Sequence, residues 1–162
     1  MVETAGWIGS QGVANVIGFN IGGSVNVQGI TVSMTPAFHS SGISGQGEEM
    51  VYGGEPVGYV IELENGLTLY HAGDTCAFGD MQLLRELYAP DIALLPIGDF
   101  YTMGPKGAAL SVRLLGVKHV IPMHYGTFPL LKGTPSELER AVTARDGKAR
   151  VVVMKPGETR AF

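Results

Sequence analysis

Apolar positions follow two rhythms along this chain. In the first part they alternate with polar residues over short runs punctuated by glycine, the period-two pattern of half-buried strands. Ser24-Val25-Asn26-Val27 and Ile30-Thr31-Val32-Ser33-Met34 alternate in this way around Gln28-Gly29, which predicts a hairpin. Tyr59-Val60-Ile61-Glu62-Leu63 and Leu67-Thr68-Leu69-Tyr70 flank Glu64-Asn65-Gly66 and predict a second. Residues 13–17 also read as a strand. Between the two hairpins, residues 40–54 are polar and carry Gly42, Gly45, Gly47, Gly53 and Gly54. A mobile loop is expected there, serving either as a substrate lid or as a plain connection.

After residue 80 the rhythm changes. Asp80 is placed to cap a helix over 81–88, with Leu83, Leu84 and Leu87 on one face and Pro90 ending it. Ile92-Ala93-Leu94-Leu95 is an unbroken apolar run, as in a strand buried on both faces. Pro105 opens a helix in which Ala108, Ala109, Val112 and Leu115 share a face, and Gly116 stops it. Residues 117–123 read as another buried strand, Thr134-Pro135-Ser136-Glu137 starts a third helix running to about residue 144, and 150–154 reads as a last strand. Hairpins followed by alternating helix and strand predict an α/β fold, with a mixed sheet and helices on its outer faces. The length suits a single domain over residues 1–162.

Composition narrows the function. The net charge is −4 and no basic run occurs, which argues against nucleic acid as a partner. A small-molecule substrate is the expected partner. Apolar runs fall far short of the ~18 residues that cross a membrane. The first residues show no basic segment followed by an apolar stretch, and a lone Cys76 excludes an internal disulfide, so a cytoplasmic protein is expected. The hydrophobic fraction is 45% against 16% charged, so the surface is thin relative to the interior. Either the packing is efficient or apolar area awaits a partner.

Three stretches carry chemistry: Thr35-Pro36-Ala37-Phe38-His39-Ser40, His71-Ala72-Gly73-Asp74-Thr75 and Pro122-Met123-His124-Tyr125-Gly126-Thr127. Each places a His or Asp where an apolar run gives way to small residues. Imidazole nitrogens and carboxylate oxygens on rigid strand ends are the usual ligands of zinc, iron and manganese. His39, Asp74 and His124 are therefore the candidate ligands, each with a bland alternative as a turn-capping or backbone-satisfied residue. Gly73 would let backbone and metal approach closely, and Thr75 would hydrogen-bond and orient the Asp74 carboxylate. His71 is expected either as a ligand or as a donor to a ligating carboxylate, and His119 in a structural or surface role. Cys76 is expected to be a small buried residue, with a site-lining role as its rival. Neither a Gly-x-Ser-x-Gly elbow nor a phosphate-binding Gly-Lys-Ser/Thr loop occurs.

Together with Leu95-Pro96-Ile97-Gly98 and Tyr101-Thr102-Met103-Gly104-Pro105, these stretches resemble the metallo-β-lactamase superfamily, in its uncharacterised metal-dependent hydrolase and L-ascorbate-6-phosphate lactonase-like branches. The resemblance runs in the family's order over essentially the whole chain. It implies an αββα sandwich and a metal-dependent hydrolase acting on an ester, lactone, amide or phosphoester bond. It further implies that His39 and His124 hold separate ions and Asp74 bridges them, with Asp74 and His124 catalytic. The implied cofactor is up to two divalent ions in the intact protein, zinc by default, with manganese, nickel or iron as alternatives. The family's upstream His-x-His-x-Asp-His motif, which supplies the other ligands, has no counterpart in the histidine-free residues 1–38. The resemblance is thus to the C-terminal portion of such an enzyme, without its opening strands. A covering N-terminal segment or a homo-oligomer is the expected partner, and a non-catalytic remnant that binds metal weakly or not at all is the rival reading.

Overall fold

The protein is described from a computed structural model covering residues 1–44, 49–145 and 147–162. Its elements run α1 (Val2–Ser10), β1 (Ser24–Val27), β2 (Ile30–Pro36), β3 (Gly42–Ser44), β4 (Met50–Tyr52), β5 (Val57–Glu62), β6 (Thr68–His71), α2 (Met81–Tyr88), β7 (Ile92–Pro96), α3 (Pro105–Leu115), β8 (His119–Met123), α4 (Pro135–Thr143) and β9 (Arg150–Val151). Seven strands form one sheet in the order β1-β2-β5-β6-β7-β8-β9, and β3 pairs with β4 in a separate ribbon.

The change of rhythm in the sequence is a change of pairing in the sheet. The β1–β2, β2–β5 and β5–β6 pairs are antiparallel, whereas β6–β7, β7–β8 and β8–β9 are parallel. Parallel neighbours need a crossover, and α2, α3 and α4 supply one each. The helices cover one face. Tyr70, Ala93, Leu95 and Val120 from the sheet pack in one buried cluster with Met81 and Leu84 of α2, Val112 and Leu115 of α3, and Leu138 and Val142 of α4. Ile61, Leu69, Leu94 and Ile121 occupy alternate strand positions, so they project from the opposite face, and each is only partly buried.

Most of the predicted elements are present, and α4 carries a full capping box between Thr134 and Glu137. Four differ. Residues 13–17 form no strand, while α1, which the apolar pattern does not announce, precedes them. None of its residues is buried, so it has no apolar stripe to read, and Gly6 and Gly9 weaken its helical signal further. It is held by tertiary bonds instead: the Thr4 hydroxyl donates to the Gly53 carbonyl at 2.9 Å and the Val2 amide to Asn20 Oδ1 at 3.2 Å. The glycine-rich stretch contains the β3–β4 ribbon, and residues 45–48 of it lie outside the described residues. On α2 the buried pair is Met81 and Leu84, while Leu83 and Leu87 face outward. The last strand stops at Val151.

Candidate metal centre

Strand direction brings the candidate residues to one edge. β2 and β6 are both antiparallel to β5 and so run the same way, and β7 and β8 run parallel to β6. The segments after β2, β6, β7 and β8 therefore leave the sheet at the same side. His39 lies three residues beyond β2, Asp74 three beyond β6, Asp99 three beyond β7, and His124 immediately after β8.

Asp74 and His124 meet. His124 Nε2 lies 3.6 Å from Asp74 Oδ2. That is too long for a hydrogen bond. Two donors each about 2.1 Å from a tetrahedral ion stand ~3.4 Å apart, so the pair is spaced to share one. Both side chains are partly open to solvent, at 45% for Asp74 and 27% for His124. The other ring nitrogen, His124 Nδ1, is buried and has no hydrogen-bond partner among the described residues. The backbone of His124 is left-handed, with φ of 53°. A non-glycine residue held there signals that the surroundings fix it, and such positions concentrate at functional sites. The turn is tightly packed: a Cβ on Gly98 would collide with the His124 carbonyl oxygen.

Asp74 is presented by a second tight turn. Gly73 has φ of 64°, and a Cβ there would overlap the Val57 carbonyl oxygen, so backbone does approach closely, as expected. His71 contributes to this turn. Its Nδ1 accepts the Gly73 amide at 3.2 Å, which puts the proton of a neutral ring on Nε2.

His39 reaches the same edge but is not gathered with the pair. Its ring nitrogens face two carbonyl oxygens, Ser40 at 2.8 Å from Nδ1 and Tyr101 at 3.1 Å from Nε2. A neutral imidazole has one N–H and can donate to only one of them. Among the described residues, no three side chains of His, Cys, Asp or Glu come together as a ready metal cage. Of the three predicted ligands the structure brings together Asp74 and His124 and leaves His39 apart, its Nε2 turned to the Tyr101 carbonyl.

Two further expectations are corrected. Thr75 does not orient the Asp74 carboxylate. Its side chain is wholly buried, and its hydroxyl accepts the Phe38 amide at 2.9 Å and donates to the Cys76 carbonyl at 3.0 Å. Cys76 is exposed rather than buried. His119 is partly buried at the starting end of β8, with its ring edge-on to Phe162 at 5.3 Å. Asp99 and Phe100 escaped the sequence reading as individual residues. Both are left-handed, with φ of 66° and 57°, and Asp99 borders a cleft of about 650 Å³ also lined by Lys106, Glu137 and Arg140. Exposed Phe38, Phe100, Tyr101 and Phe128 belong to the same edge segments.

The sheet is mixed, helices cover one face, and His and Asp side chains gather at one end of the strands; comparison with known proteins gives the family. The beta-lactamase superfamily domain matches residues 4–125. The chain belongs to that superfamily. A protein of Rubrobacter xylanophilus named UPF0173 metal-dependent hydrolase is 53% identical over 156 residues, covering 96% of this chain and 64% of the relative. A namesake in Koribacter versatilis is also 53% identical, over 97% of this chain and 65% of its own length. Among solved structures, a metallo hydrolase from the archaeon Ignicoccus hospitalis superposes with a TM-score of 0.83 at 40% identity, covering 99% of this chain and 66% of that one. The chain therefore spans just under two-thirds of the length of these relatives. No helix among the described residues is long and apolar enough to cross a membrane.

Proposed function

We propose that this chain contributes His39, Asp74 and His124 to the divalent-metal centre of a hydrolase that cleaves an ester, lactone, amide or phosphoester bond. The observation that carries the reading is the Asp74–His124 pair, 3.6 Å apart and too far for a hydrogen bond, on a left-handed turn. His124 would hold the ion through Nε2 and Asp74 through its carboxylate, whose second oxygen leaves it free to bridge to another. Zinc suits this donor set, and manganese, nickel or iron remain compatible with it. When bound, such an ion lowers the pKa of a coordinated water and so supplies hydroxide at neutral pH. His39 would join by turning Nε2 away from the Tyr101 carbonyl. The exposed aromatic rim of Phe38, Phe100, Tyr101 and Phe128 would flank a bound substrate and exclude water from the reacting bond.

Two or three side chains leave a metal ion under-coordinated. The remaining donors would come from the third of the relatives' length that this chain does not span. The partly buried sheet face at Ile61, Leu69, Leu94 and Ile121 would suit a covering segment or a second copy. A single exposed thiol and the lack of any disulfide suit a reducing cytoplasm.

Metal analysis tests the reading. A protein of the relatives' full length should retain zinc when purified, and Asp74→Ala should strip it. In a protein of the relatives' full length, the same substitution should lower hydrolysis of a lactone or phosphodiester at least about 100-fold, the scale set by loss of a group acting directly on the reacting centre. Unchanged metal content and turnover in that variant contradict the assignment. The lack of a ready three-donor cage among the described residues favours a rival, a non-catalytic module that binds metal weakly. Wild-type protein free of both zinc and turnover would establish that rival.

A further inference from the structure

The geometry points to Thr75 as the positioning residue that holds the His39 segment in register with the Asp74 turn, an inference that rests on the proposed metal centre. Thr75 follows Asp74 directly, yet its side chain turns inward and is fully buried. There its Oγ1 sits between two chain segments far apart in sequence. It accepts the amide of Phe38, the residue before His39, at 2.9 Å, and donates to the Cys76 carbonyl at 3.0 Å. One hydroxyl has one proton and two lone pairs, so both bonds form together and fix its rotamer.

The backbone of the same residue makes a third connection. The Thr75 carbonyl accepts the Met103 amide at 3.3 Å. Met103 closes the loop whose Tyr101 carbonyl faces His39 Nε2 at 3.1 Å. Thr75 therefore ties three segments that no sheet ladder joins: the end of β2 with His39, the turn with Asp74, and the loop after β7. Beyond Pro36 one last backbone bond, from the Ala37 amide to the Pro56 carbonyl at 3.3 Å, continues the pairing with the β5 side, and the Thr75 hydroxyl takes the next amide, that of Phe38 beside His39. Groups that orient a metal ligand without touching the metal typically change affinity 10–100-fold when removed.

The test uses Thr75→Val, which keeps shape and β-branching but loses the hydroxyl, and Thr75→Ser, which keeps the hydroxyl. Two readouts are taken on the whole chain: zinc titration by calorimetry, and metal-free NMR of the Phe38 amide and the His39 ring. Thr75→Val should weaken zinc binding roughly tenfold, speed exchange of the Phe38 amide and shift the His39 ring resonances, with Thr75→Ser restoring all three. Wild-type zinc affinity and His39 resonances in folded Thr75→Val overturn the inference. So does equal damage in both variants, which marks a general sensitivity of this buried position to repacking and not the loss of the hydroxyl. If the wild-type chain binds no zinc, the titration is repeated on a protein of the relatives' full length, whose failure to bind zinc would sink the metal-centre reading by itself. The metal-free NMR comparison then decides the positioning role: His39 shifts that Thr75→Ser reverses support it, and unshifted resonances refute it.

Discussion

The two ends of the parallel strands are built on opposite principles. At the starting end, polar groups are matched. Asp91, just before β7, accepts the Thr68 amide at 3.2 Å and Lys118 Nζ at 2.8 Å, while its carbonyl accepts the amides of Lys118 and His119. One residue thereby binds β6, β7 and β8 together. At the finishing end, polar groups are left unmatched. Among the described residues His124 Nδ1 is buried without a partner, and His39, when neutral, faces one carbonyl too many; Asp99, Phe100 and His124 sit in left-handed backbone, which at the starting end of these strands only the helix-capping Ala89 before β7 adopts among the described non-glycine residues. Such left-handed residues cost roughly 1–2 kcal/mol each. A fold that needed only stability would treat both ends alike. The difference is what the proposed metal centre would require of the finishing end, with the matched end supplying a rigid base.

Substitutions can break that comparison. The strongest effect is expected from Asp74→Ala, through the loss of zinc and turnover given above. Next comes His124→Gly. It should abolish zinc binding in calorimetric titration while leaving the melting temperature unchanged or raised, because glycine relieves the left-handed backbone and no hydrogen bond of the ring is lost. A large drop in melting temperature would show that His124 is structural and that the two ends are not opposed.

Asp91→Asn probes the other end and should do the reverse: zinc affinity stays, stability falls. Lys118 is 75% exposed, so the ion pair is screened and the loss should be about 1 kcal/mol or less. The Lys118 ammonium, and the Thr68 amide behind it, hold the Asp91 carboxyl below the usual carboxylate range. Its stabilisation is therefore complete above the ordinary carboxylate pKa and disappears as pH falls through the lower folded value. Urea melts of wild type and variant should converge at strongly acidic pH. Curves that stay apart there would mean a packing effect.

The smallest effect at neutral pH is expected from Tyr70→Phe. Burial pushes this phenol up to about 12, against a slight lowering from the nearby Thr35 hydroxyl, and neither hydroxyl completes a hydrogen bond of normal geometry. Because the folded value is raised, the stabilisation is present below about 10 and is lost as pH climbs through about 12. Phenylalanine removes the titration and a hydroxyl without a partner, so its alkaline unfolding limb should be shallower, with near-wild-type stability at pH 7. A substantial loss at neutral pH would reveal a hydrogen bond at that hydroxyl.

The fold was legible in the sequence wherever burial imposed a period. Ala108, Ala109, Val112 and Leu115 mark α3 because they must all face the sheet, and Asn65-Gly66 marks the second hairpin because its turn needs a residue free to be left-handed. α1 was illegible because nothing on it is buried. On α2, spacing alone favoured Leu83 and Leu87, and only the third dimension shows that Met81 takes the core position. The site was legible as residue types at strand ends, but not as contacts. Thr75 shows why: sequence adjacency suggested a bond to Asp74, whereas the turn after β6 directs its hydroxyl towards Phe38, 37 residues away in sequence.

All four edge segments hang from strands that point the same way, and each strand is fixed by its lateral neighbours rather than by its own trailing loop. The turns are in that sense exchangeable fittings on a standing frame. Lengthening or replacing the stretch after β2 or β7 would redraw the mouth of the site while leaving the ladder, and the Asp91 anchor far below, as they are.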